Sequence, residues 1–134
     1  MTTGLPAVCP RVAVTGHRDL TDGTTQLVSC DLHTTLASYG PNLVGVSCLA
    51  PGADQIFARA VLALGGRLHA IVAASGYRAT LPPDARRVYD ELLRRAETVE
   101  TLPFDVPIPA AYAAANEAML RAADQLIAVW DGRP

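Results

Sequence analysis

Five runs rich in apolar and β-branched residues are separated by four segments of helical periodicity, with no internal repeat and no low-complexity tract. Such alternation is satisfied by right-handed crossovers that lay an open parallel sheet between helices. The expected fold class is therefore α/β, a three-layer doubly wound, Rossmann-like, mostly parallel five-stranded sheet with helices on both faces. The runs are Arg11 to Gly16, Leu43 to Cys48, Arg67 to Ala74, Thr98 to Leu102 and Gln125 to Trp130. Thr21 and Asp22 are good caps for the first helix, whose apolar positions Val28, Leu32 and Leu36 recur at i+4. Asp54 is the expected cap of the second, which carries Ile56, Phe57, Ala60, Val61 and Leu64 before Gly65-Gly66. Asp84 opens the third, with Val88, Leu92 and Ala96 on one stripe, and Pro109 opens an alanine-rich fourth that ends near Ala123.

A chain of 134 residues closes a single core, so residues 1–134 read as one domain. No apolar run approaches the roughly 20 residues of a membrane span, and Met1 to Pro10 lacks a basic region followed by an apolar core; the expected compartment is the cytoplasm. Three cysteines, Cys9, Cys30 and Cys48, cannot all pair within one chain and are expected to be reduced and structural. No set of His, Cys and acidic residues has metal-ligand spacing, so neither a metal nor a cofactor is expected. The formal charge of −2 gives no signal for nucleic acid, where a basic patch would be anticipated. Every cationic side chain other than histidine is arginine, which excludes Schiff-base lysine chemistry and a Walker-type lysine.

In open parallel sheets the ligand crevice lies beyond the carboxyl ends of the strands, near the switch in strand order. The first such loop, Gly16-His17-Arg18, ends a strand in glycine, which lets a backbone approach a ligand closely, and adds a bidentate donor in Arg18. It departs from the dinucleotide fingerprint, because no spaced second and third glycines follow. The second, Gly52-Ala53-Asp54, places small residues at a helix start; Asp54 would face a sugar hydroxyl, or serve only as a cap. Asp131-Gly132 stands at the end of the last strand, either holding a sugar hydroxyl or making a plain turn. The candidate ligand-binding set is thus Gly16, His17, Arg18, Gly52, Ala53, Asp54, Asp131 and Gly132.

Other residues carry two readings each. His17 is a hydrogen-bond donor or an acid–base group, although no serine or cysteine is placed as its nucleophile. Tyr77 and Arg78 would stack on a base and pair with a phosphate, or lie in an idle loop. Arg86, Arg87, Arg94 and Arg95 read as a solvated helix face, and Asn116 as a polar residue with a task or an exposed one.

Four segments, Val12 to Arg18, Ser47 to Gln55, Asn116 to Asp124 and Leu126 to Gly132, resemble the SLOG superfamily of Rossmann-like proteins, which includes DprA, the Lonely Guy phosphoribohydrolases and YpsA-like proteins. The resemblance implies a pocket for a nucleotide or nucleotide-derived small molecule, in a sensor role, formed by the first two loops with Asp131 and Gly132 opposite. The alternative it implies is an N-glycosidic-bond hydrolase or transferase, with Asp54 or Asp131 as the carboxylate that stabilises oxocarbenium-like charge. A third reading is an interaction domain without a ligand. Glycosidic members of the family share a P-G-G-x-G-T-x-x-E segment after the last strand, and the sequence stops at Pro134, before that segment; it is either truncated or a shortened member. A sheet ending on its fifth strand leaves Leu126, Ile127 and Val129 short of cover, which leads to the expectation of a homodimer or larger assembly.

Overall fold

A computed structural model describes residues 9–16 and 21–129. Five strands, β1 (Arg11–Gly16), β2 (Val44–Ser47), β3 (Arg67–Val72), β4 (Thr98–Thr101) and β5 (Gln125–Val129), alternate with four helices, α1 (Asp22–Ala37), α2 (Ala53–Ala63), α3 (Pro83–Arg95) and α4 (Pro109–Ala122). The sheet order is β4-β3-β2-β1-β5 and every pairing is parallel, so the fold is an α/β Rossmann-like domain.

The order explains the layers. From β1 the chain steps outward through β2 and β3 to β4, and crossovers of one hand taken in one direction place α1, α2 and α3 on the same face. The next crossover runs back past β1 to β5, so α4 lies alone on the other face. Two cores result on the first face, one joining Val12, Val14, Leu36, Phe57 and Val61, the other Leu49, Leu68, Tyr77, Tyr89 and Leu92. On the α4 face Ala13, Val46 and Ile71 pack against Ala111, Ala115, Ala118 and Met119. The alternation of Val12 and Val14 with Ala13 is the two-residue pleat of a strand covered on both sides.

Local chemistry fixes the helix ends. The Thr21 side chain caps α1 by accepting from the Thr24 N–H at 3.2 Å. Helix α2 closes with Gly65 at φ 79°, its N–H bonded to Leu62 O and the Gly66 N–H to Val61 O, a Schellman ending. Its start differs from the sequence expectation: the cap is Gly52 (φ 88°, ψ −132°), and Asp54 sits in the first turn. Asp84 likewise lies within the first turn of α3, after Pro82 and Pro83. Buried Tyr89 shares the inner face of α3 with Leu92.

Both edge strands are largely exposed. On β5, Ile127 and Val129 pack against the first core while Leu126, on the α4 face opposite Ala13, is 48% exposed. Of the three cysteines only Cys48 is substantially covered; Cys9 and Cys30 are exposed, so the structural role expected for all three holds for Cys48 alone. No helix of the described residues is long and apolar enough to cross a membrane.

Candidate functional site

The carboxyl ends of β1, β2 and β3 open into a crevice of about 120 Å³ on the α4 side of the sheet. Thr15 and Gly16 form its floor, Cys48, Ala50 and Asp54 one wall, Ala73 and Tyr77 the end beyond β3, and Tyr112, Ala115, Asn116 and Met119 the wall contributed by α4. This is the position that the topology dictates, beside the β1/β5 switch.

The wall from β2 to α2 is held by a compact polar network. The Leu49 N–H donates to Ser47 Oγ at 3.0 Å, and that hydroxyl donates to the Asp54 carbonyl at 3.2 Å. The Gln55 amide, on a side chain that is 8% exposed, donates to Leu49 O and to Ala85 O, each at 3.2 Å, tying the loop to α3. Leu49 itself is fully buried with φ 59°, a left-handed conformation costly for a residue with a Cβ. Ser47 and Gln55 are therefore positioning residues for the crevice wall. Nothing in local periodicity marks Gln55; the sign was a polar residue at a buried helix position, visible only once α3 is in place. Gln55→Leu leaves the buried Leu49 carbonyl without this donor and removes the tie to Ala85 O, and is expected to cost about 1–3 kcal/mol. A urea titration of the variant checks this, and a loss below about 0.5 kcal/mol would remove Gln55 from the wall.

Gly16 has a packing role besides the one read from the sequence. A Cβ at this position would stand 2.7 Å from Val129 Cβ and 2.8 Å from Ala53 Cβ, so the missing side chain lets β1 meet both α2 and β5. Ala53 is fully buried in that contact and does not line the crevice. Gly52, by contrast, supplies a backbone conformation reserved for glycine and leaves α2 without a side-chain cap. The first N–H groups of α2 bonded back along the chain are those of Gln55, to Ala50 O, and Ile56, to Gly52 O. Of the first turn of α2, Asp54 is the residue that reaches the crevice wall.

Electrostatics narrow the chemistry. Burial and then the nearby Asp54 carboxylate push the Cys48 thiol up to about 12, so it stays a neutral thiol at physiological pH and is no nucleophile. Arg78 is engaged away from the crevice, its guanidinium donating to both carboxylate oxygens of Asp90 at 2.7 Å. That pairing holds the Asp90 carboxyl below its ordinary range. Arg78 is therefore not the phosphate partner entertained from the sequence. Tyr77 is also reassigned: it is 4% exposed, packed against Tyr89 (5.7 Å between centroids) and edge-on to Tyr112 (6.3 Å), so it is a core residue whose margin reaches the crevice. Arg87 and Arg95 pair with Asp84 and Glu91 along α3, and Arg86 donates to Leu81 O at 2.9 Å. His17, Arg18, Asp131 and Gly132 lie outside the described residues. The structure thus brings Gly16 and Asp54 together at one crevice, with Gly52 at the head of α2, and adds Tyr112 and Asn116.

No family model matches this sequence, and no curated protein matches it. Solved structures do. DNA processing protein A (DprA) of Streptococcus pneumoniae aligns with a TM-score of 0.69 at 22% identity, over 89% of this chain and 41% of its own. DprA of Helicobacter pylori aligns with a TM-score of 0.66 at 22% identity, over 94% of this chain and 56% of its own. The chain spans about half the length of these neighbours, and the fold is the Rossmann-like fold of DprA, consistent with the SLOG resemblance. The H. pylori structure is described in terms of a single-stranded DNA binding mode. This corrects the expectation drawn from net charge: a protein of this fold binds single-stranded DNA, so a charge of −2 does not argue against nucleic acid. The physical reason is that single strands are held by a local groove and by base stacking, neither of which is visible in a sum of charges.

Proposed function

We propose that this domain binds single-stranded nucleic acid by seating one nucleotide in the crevice at the carboxyl ends of β1 to β3. The observation that carries the reading is the open crevice beside the strand-order switch, lined by Asp54 from the first turn of α2 and by Tyr112 and Asn116 of α4. The DprA fold supports it. In this arrangement the start of α2 and Arg18 receive a phosphate, because backbone N–H groups, the helix dipole and a guanidinium all favour an anion. Asp54 accepts from a sugar hydroxyl or from a base N–H, amino or imide, at the edge of the site, and the partly exposed Tyr112 ring gives the base a face to stack on.

The test is fluorescence anisotropy with a labelled single-stranded oligonucleotide of mixed sequence at low salt. Binding that weakens as salt rises is expected, and absence of binding by the folded protein would overturn the proposal. Arg18→Ala is expected to weaken the complex by about 1.5–3 kcal/mol, the worth of a charged hydrogen bond, and to reduce the salt slope by about one. Arg87→Ala, already paired with Asp84 on α3, is the control expected to leave affinity unchanged.

A further inference from the structure

Beyond the crevice, α4 and the edge strand β5 enclose a second hollow of about 220 Å³, lined by Thr15, Asn116, Met119, Leu120 and Leu126. Thr15, Asn116 and Met119 also line the crevice, so the two hollows adjoin across these three residues and are treated as one trough. Each alone falls short of the roughly 300 Å³ of a ligand site; together they reach it. Their chemistry differs along the length. The crevice carries Asp54 from the first turn of α2, whereas the outer part is apolar, with Leu120 58% and Leu126 48% exposed. Among the described residues these two leucines are large apolar side chains left in water on one face beside the site, which a lone exposed leucine would not require explaining but an adjoining pair along a trough does.

We infer that the outer trough is a subsite for a second nucleobase, so that the unit recognised is at least a dinucleotide of a single strand. A base has apolar faces and polar edges, and the trough offers the matching arrangement: Met119, Leu120 and Leu126 for a face, and the Asn116 amide and Thr15 hydroxyl at the junction for an edge. Asn116 and Thr15 are exposed, so their hydrogen-bonding groups meet a ligand without first being uncovered. The continuity with the crevice selects this occupant, since the base following a nucleotide seated on β1 is carried by the same backbone. This inference rests on the nucleotide reading of the crevice.

The experiment compares thymidine 5′-monophosphate with 5′-phosphorylated dithymidylate as competitors of a labelled oligothymidylate, for the unaltered protein and for Leu120→Ser/Leu126→Ser. The dinucleotide is expected to bind at least about tenfold more tightly than the mononucleotide. In the double variant that ratio falls towards one while the mononucleotide affinity holds. Equal affinities in the unaltered protein, or a ratio that survives the double substitution, would overturn the second subsite and leave the crevice reading standing. Failure of the oligothymidylate itself to bind would instead overturn the crevice reading. Sedimentation of both proteins is the further control: a dimer that the double substitution dissolves would mean that a second copy covers the leucines and would overturn the subsite.

Discussion

Gly16→Val is expected to lower stability by about 3 kcal/mol, the upper part of the range for forcing bulk into a packed core. The new Cβ would fall 2.7 Å from Val129 Cβ, 2.8 Å from Ala53 Cβ and 2.9 Å from Val129 O. Two of these atoms belong to β5 and one to the first turn of α2, so relief requires either the edge strand or the helix to move. Gly16→Ala meets the same atoms with less bulk and should cost about 1–2 kcal/mol. Gly23, in the first turn of α1, is the contrast, because a Cβ there has nothing within 4 Å; Gly23→Ala should stabilise by about 0.4–1 kcal/mol. Urea unfolding of the three variants decides between two roles for Gly16. A stable Gly16→Val protein that has lost oligonucleotide affinity would mean that the glycine serves the ligand and not the packing.

The second large effect is alkaline. The Cys48 thiol is raised from 9.0 to about 12 and the Tyr89 phenol from 10.0 to about 12, in both cases chiefly by burial and secondarily by a neighbouring carboxylate, Asp54 or Asp90. Both groups are neutral when protonated, so the native state holds its protons to higher pH than the unfolded chain does. Below about pH 9 both states are protonated and the contribution is complete. Between pH 9 and 12 the unfolded chain releases protons that the native state retains, and stability falls as pH rises. At 1.36 kcal/mol per pH unit, the Cys48 shift corresponds to a loss on the order of 4 kcal/mol across that window. Stability measured by urea unfolding should therefore be level from neutrality to pH 9 and decline steeply beyond it. Cys48→Ala and Tyr89→Phe should each flatten the decline while lowering the neutral plateau only modestly. A decline unchanged in both variants would assign the alkaline transition to other groups.

The elements were legible in the sequence because their causes are local. Runs such as Val12-Ala-Val and Leu68-His-Ala-Ile-Val read as covered strands, and the i, i+4 apolar spacing of α2 with Gly65-Gly66 behind it marks a helix and its stop. The alternation also led to parallel pairing and to a site at the strand carboxyl ends. What stayed hidden depends on residues far apart in the chain. The reason for glycine at position 16 lies in Ala53 and Val129, and the reason for glutamine at position 55 lies in the carbonyl of Ala85. Tyr77 and Arg78 looked like ligand residues because they lie in a loop at the site edge, yet α3 supplies Tyr89 and Asp90 to occupy them. Aspartate favours a cap, which is one of the two readings the sequence offers for Asp54; Gly52 holds the cap because the backbone there adopts a conformation that only glycine tolerates cheaply.

The alanines on the inner side of α4 have a consequence of another kind. With Ala111, Ala115 and Ala118 buried against the sheet beside the one long side chain of Met119, methyl groups largely set the distance between this helix and the strands. That distance is also the width of the crevice, since the same helix carries Tyr112 and Asn116. Ala111 and Ala118 thus act as a shim: a single added methylene at either would move the wall of the site from behind, and the breadth of ligand admitted could be tuned without altering a residue that faces it.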